Sequence, residues 1–313
     1  MSETSIRWPR FSPAAGMKPE EWPVACIGPG RVGATLTRAL VARGFPLAGI
    51  GGIPDADVER LAGEFGAAVL GTDYTGLGTR ARLIVVTVPD DSLAEVFGEL
   101  LQTAALEPEN CLLQTSATVP ACPLPASDRS GGEEPLFLSL HPMKPVPSAD
   151  LGPDHFTEVS FGVEGGERAR SLGCELARLL GGQPVELSAR DKPAYHAAGV
   201  LGFTGLAALL EAVTELARTI GLGEEWVARA IAPGMTAMLP DGSEPGRAPL
   251  LTGPVSRGDT AVILAHLEAL EESAPHLVPL YREVTQVNMR RAEADGLMDC
   301  DTLCALRQLL ETF

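Results

Sequence analysis

One six-residue run constrains this chain more than any other: Gly28-Pro29-Gly30-Arg31-Val32-Gly33. It follows a short apolar stretch at 23–27 and precedes ATLTRALVARG, whose apolar residues recur at helical spacing and stop at Gly44. An apolar run closed by glycine predicts a buried strand, and the stretch after it predicts a helix. Between a strand and a helix, each glycine has a task. Gly28 permits the tight turn, Gly30 lets a pyrophosphate approach the backbone, and Gly33 lets the helix pack on the strand. The helix N-terminus then directs N–H donors and the positive end of its dipole at phosphate. Residues 28–33 are therefore candidate dinucleotide ligands; the plain alternative is an ordinary tight turn.

The rest of the chain supports that setting. Strands are predicted at 45–50, 82–88 and 111–114, with helices at 55–65 and from Ser92 onward; a short strand is expected near 136–140. Strands at 160–164 and 184–187 flank a helix at 166–180. Strand–helix alternation of this kind predicts an α/β fold with a Rossmann-type parallel sheet. From Lys192 the pattern is helical only, at 194–220, 224–238, 260–273 and 275–295, with a short helix at the end. Three parts are expected: a mobile extension at 1–22, a dinucleotide-binding domain at 23–190 and an all-helical domain at 191–313.

Further candidates follow from position. Asp55 lies 22 residues after Gly33, near where a dinucleotide fold reads the adenosine ribose, yet it equally suits the N-cap of the next helix. Thr87-Val88-Pro89 ends a central strand and should face the cofactor crevice, with Asp91 or Ser92 as a helix cap. Ser116, in the turn Gln114-Thr115-Ser116-Ala117, ends the next strand; its hydroxyl suits a nicotinamide or an ordinary polar turn. Lys192 and His196 stand four apart at a helix start, on one face. Either can move the proton that hydride transfer to a carbonyl or imine requires; a solvated lysine and a packed histidine are the bland readings. The lysine is notable because the chain has only three: Lys18, Lys144 and Lys192. His141 sits in the stiff segment His141-Pro142-Met143-Lys144-Pro145. In the loop from Leu251 to Thr260, Arg257 suits a substrate carboxylate or an ion pair with Asp259, and Asp259 or Thr260 suits a helix cap.

Charge and cysteines narrow the class. A formal charge of −17 argues against nucleic acid and anionic membranes as partners. The first residues hold no apolar stretch of leader type, and the least charged helical segment, 197–210, is too short to span a bilayer. Six scattered cysteines with no CxxC pair suggest reduced, mostly buried thiols in the cytoplasm and no metal.

The order GPGRVG, VTVPDDSL, HPM, KPAYHAAGV and LLTGPVSRGDTAVILAHLEAL resembles bacterial proteins that join a Rossmann-like domain to a helical domain of unknown function 2520. They stand in the 6-phosphogluconate-dehydrogenase-like group, with pyrroline-5-carboxylate reductase, ketopantoate reductase and β-hydroxyacid dehydrogenases as relatives. The resemblance spans about residues 23–295. It implies an oxidoreductase using NADP or NAD on a small-molecule substrate, and a homodimer formed through the helical domain. It also implies a cleft with Lys192 and His196 as catalytic residues and His141, Thr204, Thr252, Ser256, Arg257 and Asp259 toward the substrate. Departures are specific. Relatives carry His-x-Ser-Gly where this chain has Gln114-Thr115-Ser116-Ala117, Ser-Arg where it has Gly52-Ile53, and Asn where it has Thr204. β-Hydroxyacid dehydrogenases carry Asn where it has His196. Two functions are thus expected to compete: hydride transfer to or from a small, carboxylate-bearing carbonyl or imine, and a non-catalytic dinucleotide-binding sensor.

Overall fold

The computed structural model describes residues 16–125, 133–238 and 251–313; most of the expected N-terminal extension, residues 1–15, lies outside them. The chain divides into two compact units, Met1–Phe203 and Thr204–Phe313.

The first unit is built on one eight-stranded sheet. Its strands are β1 (Val24–Ile27), β2 (Leu47–Gly51), β3 (Val69–Gly71), β4 (Leu83–Val86), β5 (Cys111–Gln114), β6 (Leu136–Pro142), β7 (Ser160–Gly165) and β8 (Gln183–Glu186). They lie in the order β3-β2-β1-β4-β5-β6-β7-β8. The first six, 3-2-1-4-5-6, follow the doubly wound order that opens a crevice where the winding reverses, between β1 and β4. Residues of β1, β4 and β5 are buried throughout. That explains why VACI and LIVV read as continuous apolar runs rather than alternating ones. The helices of this unit are α1 (Arg31–Ala42), α2 (Ala56–Phe65), α3 (Leu93–Thr103) and α4 (Glu167–Leu179).

Three features differ from the sequence expectations. Strand β3 carries only three residues at an edge, too few for a periodic signal. The sheet is not wholly parallel: β6 and β7 are antiparallel, with Ser139 opposite Glu164 and His141 opposite Gly162. The physical reason is the connection, whose only helical piece is the single turn Pro153–Phe156; a parallel return needs a full crossover such as α4 supplies between β7 and β8. Packing also extends upstream of Pro23. Trp22 is buried, with the Arg82 guanidinium 3.7 Å above its ring. Cap expectations resolve individually. Asp55 caps α2, accepting from the N–H groups of Asp57 and Val58. Ser92 makes no side-chain cap on α3.

Beyond the sheet, α5 (Lys192–Val200), a π-helical turn Leu201–Gly205 and α6 (Leu206–Thr219) run as one helix. It is 28 residues long, and by length and composition alone it is apolar enough to cross a bilayer. The expectation of too short a segment counted only its uncharged centre. The division between the units falls at its π turn. The second unit also holds α7 (Glu224–Trp226), a π turn at Val227–Ile231, α8 (Ala232–Met238), α9 (Thr260–Ser273), α10 (Val278–Ala294) and α11 (Cys300–Thr312). Its core joins Ile263, Leu267 and Leu270 of α9 to Met289, Leu303, Leu306 and Leu310. All six cysteines are free; Cys26, Cys111 and Cys174 are buried, Cys122 is half-buried, and Cys300 and Cys304 are exposed. Burial pushes the Cys26 thiol up to about 11, which keeps it unreactive.

Candidate functional site

The β1–α1 turn has the geometry the glycines were expected to allow. Gly28 takes φ +75°, a left-handed conformation that disfavours any side chain. A Cβ on Gly30 would meet nothing within 4 Å, so its backbone faces open space. A Cβ on Gly33 would lie 2.1 Å from Thr87 Oγ1 and 2.8 Å from the Gly28 carbonyl. The Thr87 hydroxyl donates to that carbonyl at 2.6 Å, tying the end of β4 to the turn.

A crevice of about 640 Å³ opens above this turn. Gly28, Pro29, Gly30, Arg31 and Val32 line it from the turn, Asp55 from the second loop, Thr87-Val88-Pro89 from the third, and Ser116 from the fourth. Gly33 lies behind that wall, packed on Thr87. The Ser116 hydroxyl is already engaged. It donates to Asp90 Oδ2 at 2.8 Å and accepts from the N–H groups of Thr118 and Val119. Gln114 braces the same turn: its Nε2 donates to the Val119 and Pro120 carbonyls, and its Oε1 accepts from Ser116 N–H.

A smaller pocket of about 340 Å³ shares Arg31, Val32 and Thr115 with the crevice and adds His141, Lys144 and the prolines around it. His141 Nδ1 lies 3.0 Å from the Thr115 carbonyl. That oxygen can only accept, so Nδ1 carries the hydrogen and Nε2 is the acceptor. Burial lowers the His141 pKa, the Thr115 hydrogen bond opposes the shift, and the charges of His196 and Lys192 lower it further. The His196 ring meets His141 edge-on, with centroids 5.5 Å apart.

Lys192 lies outside the walls of both cavities. It is only 2% exposed, and its ammonium group donates to the Val119 carbonyl and to Ser139 Oγ at 2.7 Å, with Glu164 Oε2 at 3.8 Å. Glu164 Oε2 also accepts from Ala121 N–H at 2.6 Å. Burying a lone ammonium costs several kcal/mol; these acceptors and the carboxylate offset that cost. Burial brings the Lys192 pKa down to about 8, against the opposing charges of Glu164 and Asp90. Ser139 and Glu164 were not foreseen. They share a site because they are opposite each other in the antiparallel β6–β7 register, which no local pattern announces. Asp90 and Gln114 were visible in their motifs, but not as braces.

The remaining candidates belong to the second unit. Thr204 and Thr252 are exposed there. Ser256 donates to the Gly253 carbonyl at 2.8 Å, closing the loop before α9. Asp259 caps α9 through Val262 N–H. The alternative Arg257–Asp259 pair does not form: the Arg257 side chain is exposed and makes no ion pair among the described residues. Gly258 takes φ +65°, and a Cβ there would collide with the Thr302 methyl group, so the position admits no side chain without a shift.

A doubly wound sheet with a glycine-rich first turn, followed by a helical unit, defines the class: a Rossmann-like α/β protein with an appended helical domain. Residues 9–142 match a Rossmann-like domain family, and residues 159–287 match the domain of unknown function DUF2520, as the sequence resemblance indicated. No curated protein matches the chain. Among solved structures it is similar to a Thermotoga maritima protein, at 22% identity, TM-score 0.63, covering 87% of this chain and 99% of that one. It is also similar to a pyrroline-5-carboxylate reductase from Coxiella burnetii, at 16% identity, TM-score 0.56, covering 89% and 99%. A reductive aminase from Aspergillus terreus in complex with NADPH and ethyl levulinate matches at 19% identity, TM-score 0.56, covering 93% and 99%. The fold is therefore one that oxidoreductases share.

Proposed function

We propose that this chain is a cytoplasmic NAD(P)-dependent oxidoreductase acting on a small carbonyl or imine substrate that bears a carboxylate. The observation that carries this reading is the crevice over the β1–α1 turn, where Gly30 leaves the backbone open to a pyrophosphate and the first turn of α1 offers N–H groups that the helix itself does not satisfy. Bound there, a nicotinamide dinucleotide would supply or accept the hydride. The chain's own part is to bind, orient and manage a proton. Residues 28–33 hold phosphate, Thr87, Val88 and Pro89 form the floor, and the Ser116 turn, braced by Gln114 and Asp90, forms the far wall. His141 presents an acceptor Nε2 beside His196. Lys192 is the proton store: to deliver a proton it exchanges one of its two hydrogen-bond acceptors, the Val119 carbonyl or Ser139 Oγ, for the substrate or for an intervening water. In the second unit, Arg257 is the candidate cation for a substrate carboxylate, and Thr252, Ser256, Thr204 and Asp259 are candidates for its other polar groups.

The second reading, a dinucleotide sensor without chemistry, is favoured by one specific fact: Lys192 is buried and already donates to the Val119 carbonyl and Ser139, and the hydroxyl of Ser116 is engaged. Calorimetric titration with NADH and NADPH, followed by turnover assays on 2-oxo acids and cyclic imino acids, separates the two. Binding with turnover is the expected result. Binding without turnover on any substrate supports the sensor, and no binding of either nucleotide overturns both.

We also propose a homodimer through helical faces. Val200, Leu201, Phe203 and Leu209 are exposed on the long helix, and Leu280, Val284 and Val287 are exposed on α10 at helical spacing. Apolar stripes of this kind are covered in a stable assembly. Light scattering at micromolar concentration is expected to give twice the chain mass, and Val287→Glu to shift it toward the single chain. A monomer in the wild type removes the proposal.

A further inference from the structure

Strands β6 and β7 present one face to the start of α5. Residues two apart in a strand share a face, and the antiparallel register sets Ser139 opposite Glu164 and His141 opposite Gly162 on it. Lys192 reaches Ser139 and Glu164 there, the Tyr195 ring covers Gly162, and the His196 ring meets His141. Gly162 makes the close approach possible: a Cβ there would lie 2.8 Å from Tyr195 Cε1 and 3.0 Å from Leu187 Cδ1. The helix thereby comes near enough for its first lysine to be buried against the sheet. Glu164 is the carboxylate at ion-pair distance from that lysine, with Oε2 3.8 Å from Lys192 Nζ.

The same carboxylate is anchored on the segment that Lys192 grips. Glu164 Oε2 accepts from Ala121 N–H at 2.6 Å, and Lys192 donates to the Val119 carbonyl. From the other side, Gln114 Nε2 donates to the carbonyls of Val119 and Pro120, and Ser116 Oγ accepts from Val119 N–H. Residues 119–121 thus tie the buried lysine to the Ser116 turn, which lines the crevice. The titratable groups facing the ammonium are Glu164 from β7, Asp90 from the loop after β4 and His141 from β6, with His196 one turn along α5. Neither histidine can balance a cation, and Asp90 already accepts from the hydroxyls of Ser116 and Thr118. Glu164 is the largest of the charges that oppose the cost of burying the lysine, ahead of Asp90.

We propose that Glu164 is the positioning residue of this centre: anchored on Ala121 N–H, its carboxylate holds the Lys192 ammonium charged and in place behind the Ser116 wall of the crevice. The effect on turnover rests on the reading of Lys192 as proton source; the hold on the lysine is measured without any substrate. Because the chain has only three lysines, isotope-labelled lysine gives three side-chain signals by NMR, and Lys192→Met identifies the one at issue. Glu164→Gln keeps an acceptor for Ala121 N–H and removes the charge. The charged form of the lysine then loses its counter-charge, so its titration midpoint in the full chain is expected to fall by about one pH unit or more. The alkaline limb of the kcat profile should move down with it, while nucleotide affinity holds, because Glu164 does not line the crevice. Glu164→Asp draws the charge back without removing it and should place the midpoint about half a unit below the wild type. It carries the test if Glu164→Gln fails to fold. A wild-type midpoint in the folded variant overturns the inference and leaves the dinucleotide reading standing. A lowered midpoint with an unmoved kcat profile upholds the hold of Glu164 on the lysine and removes Lys192 as the proton source.

Discussion

Gly33→Ala is expected to destabilise the first unit by about 3 kcal/mol or more and to abolish nucleotide binding. The added methyl would sit 2.1 Å from Thr87 Oγ1 and 2.8 Å from the Gly28 carbonyl. Neither atom can withdraw cheaply, because the two are hydrogen-bonded to each other at 2.6 Å and stand at the ends of adjacent strands β4 and β1. The helix must therefore lift from the sheet, and Leu36 and Leu40, which are buried in the core, lift with it. For a unit of this size the melting temperature should fall by roughly 6–12 °C. Gly30→Ala is the control. Its Cβ meets nothing, so the fold should melt within about 2 °C of the wild type while nucleotide affinity falls at least tenfold. A Gly33→Ala protein that melts with the wild type would mean that the turn is looser than its geometry.

The second large effect is expected at Lys192. Lys192→Met should lower turnover by about 10²–10⁴-fold, the usual worth of a positioned proton donor, while nucleotide affinity stays within about threefold because the lysine does not line the crevice. Turnover within tenfold of the wild type would remove Lys192 as the proton source. A pH series gives an independent readout. The folded pKa, about 8, lies below the usual 10.5. Between those values the unfolded chain holds one more proton than the folded chain, so this residue's contribution to stability rises with pH across that window. The full change is worth roughly 3 kcal/mol. Denaturant unfolding of the wild type, measured against Lys192→Met at pH 8 and pH 10.5, should show the difference moving in favour of the wild type. In the same window kcat should fall as the ammonium loses its proton.

Much of the first unit was legible because its signals are local. Continuous apolar runs predict strands buried on both faces, and β1, β4 and β5 are such strands. The GPGRVG turn could be assigned glycine by glycine, since a strand, a tight turn and a helix start within a dozen residues. A cap on α9 at Asp259 or Thr260 followed from their place before an apolar periodic run, and the structure makes it Asp259. Asp55 was left between two roles, and the structure has it capping α2 while still lining the crevice. The edge strand β3 was missed because three residues carry no period.

What the sequence by itself determined is the succession of elements, the glycine-rich turn between β1 and α1 and the short set of side chains available for chemistry. Only the tertiary structure decided what surrounds them. Lys192 reads as the first exposed turn of a helix, yet it is buried between the Val119 carbonyl, Ser139 and Glu164. Those partners lie 73, 53 and 28 positions away along the chain. Ser139 and Glu164 meet it because β6 and β7 run antiparallel in one register; a slip of one residue would turn one of the two to the other face. Strand direction and register come from the length of a connection and the packing of whole layers, not from any residue's own preference. The electrostatics of the lysine, and with them the chemistry open to this chain, are a property of that pairing.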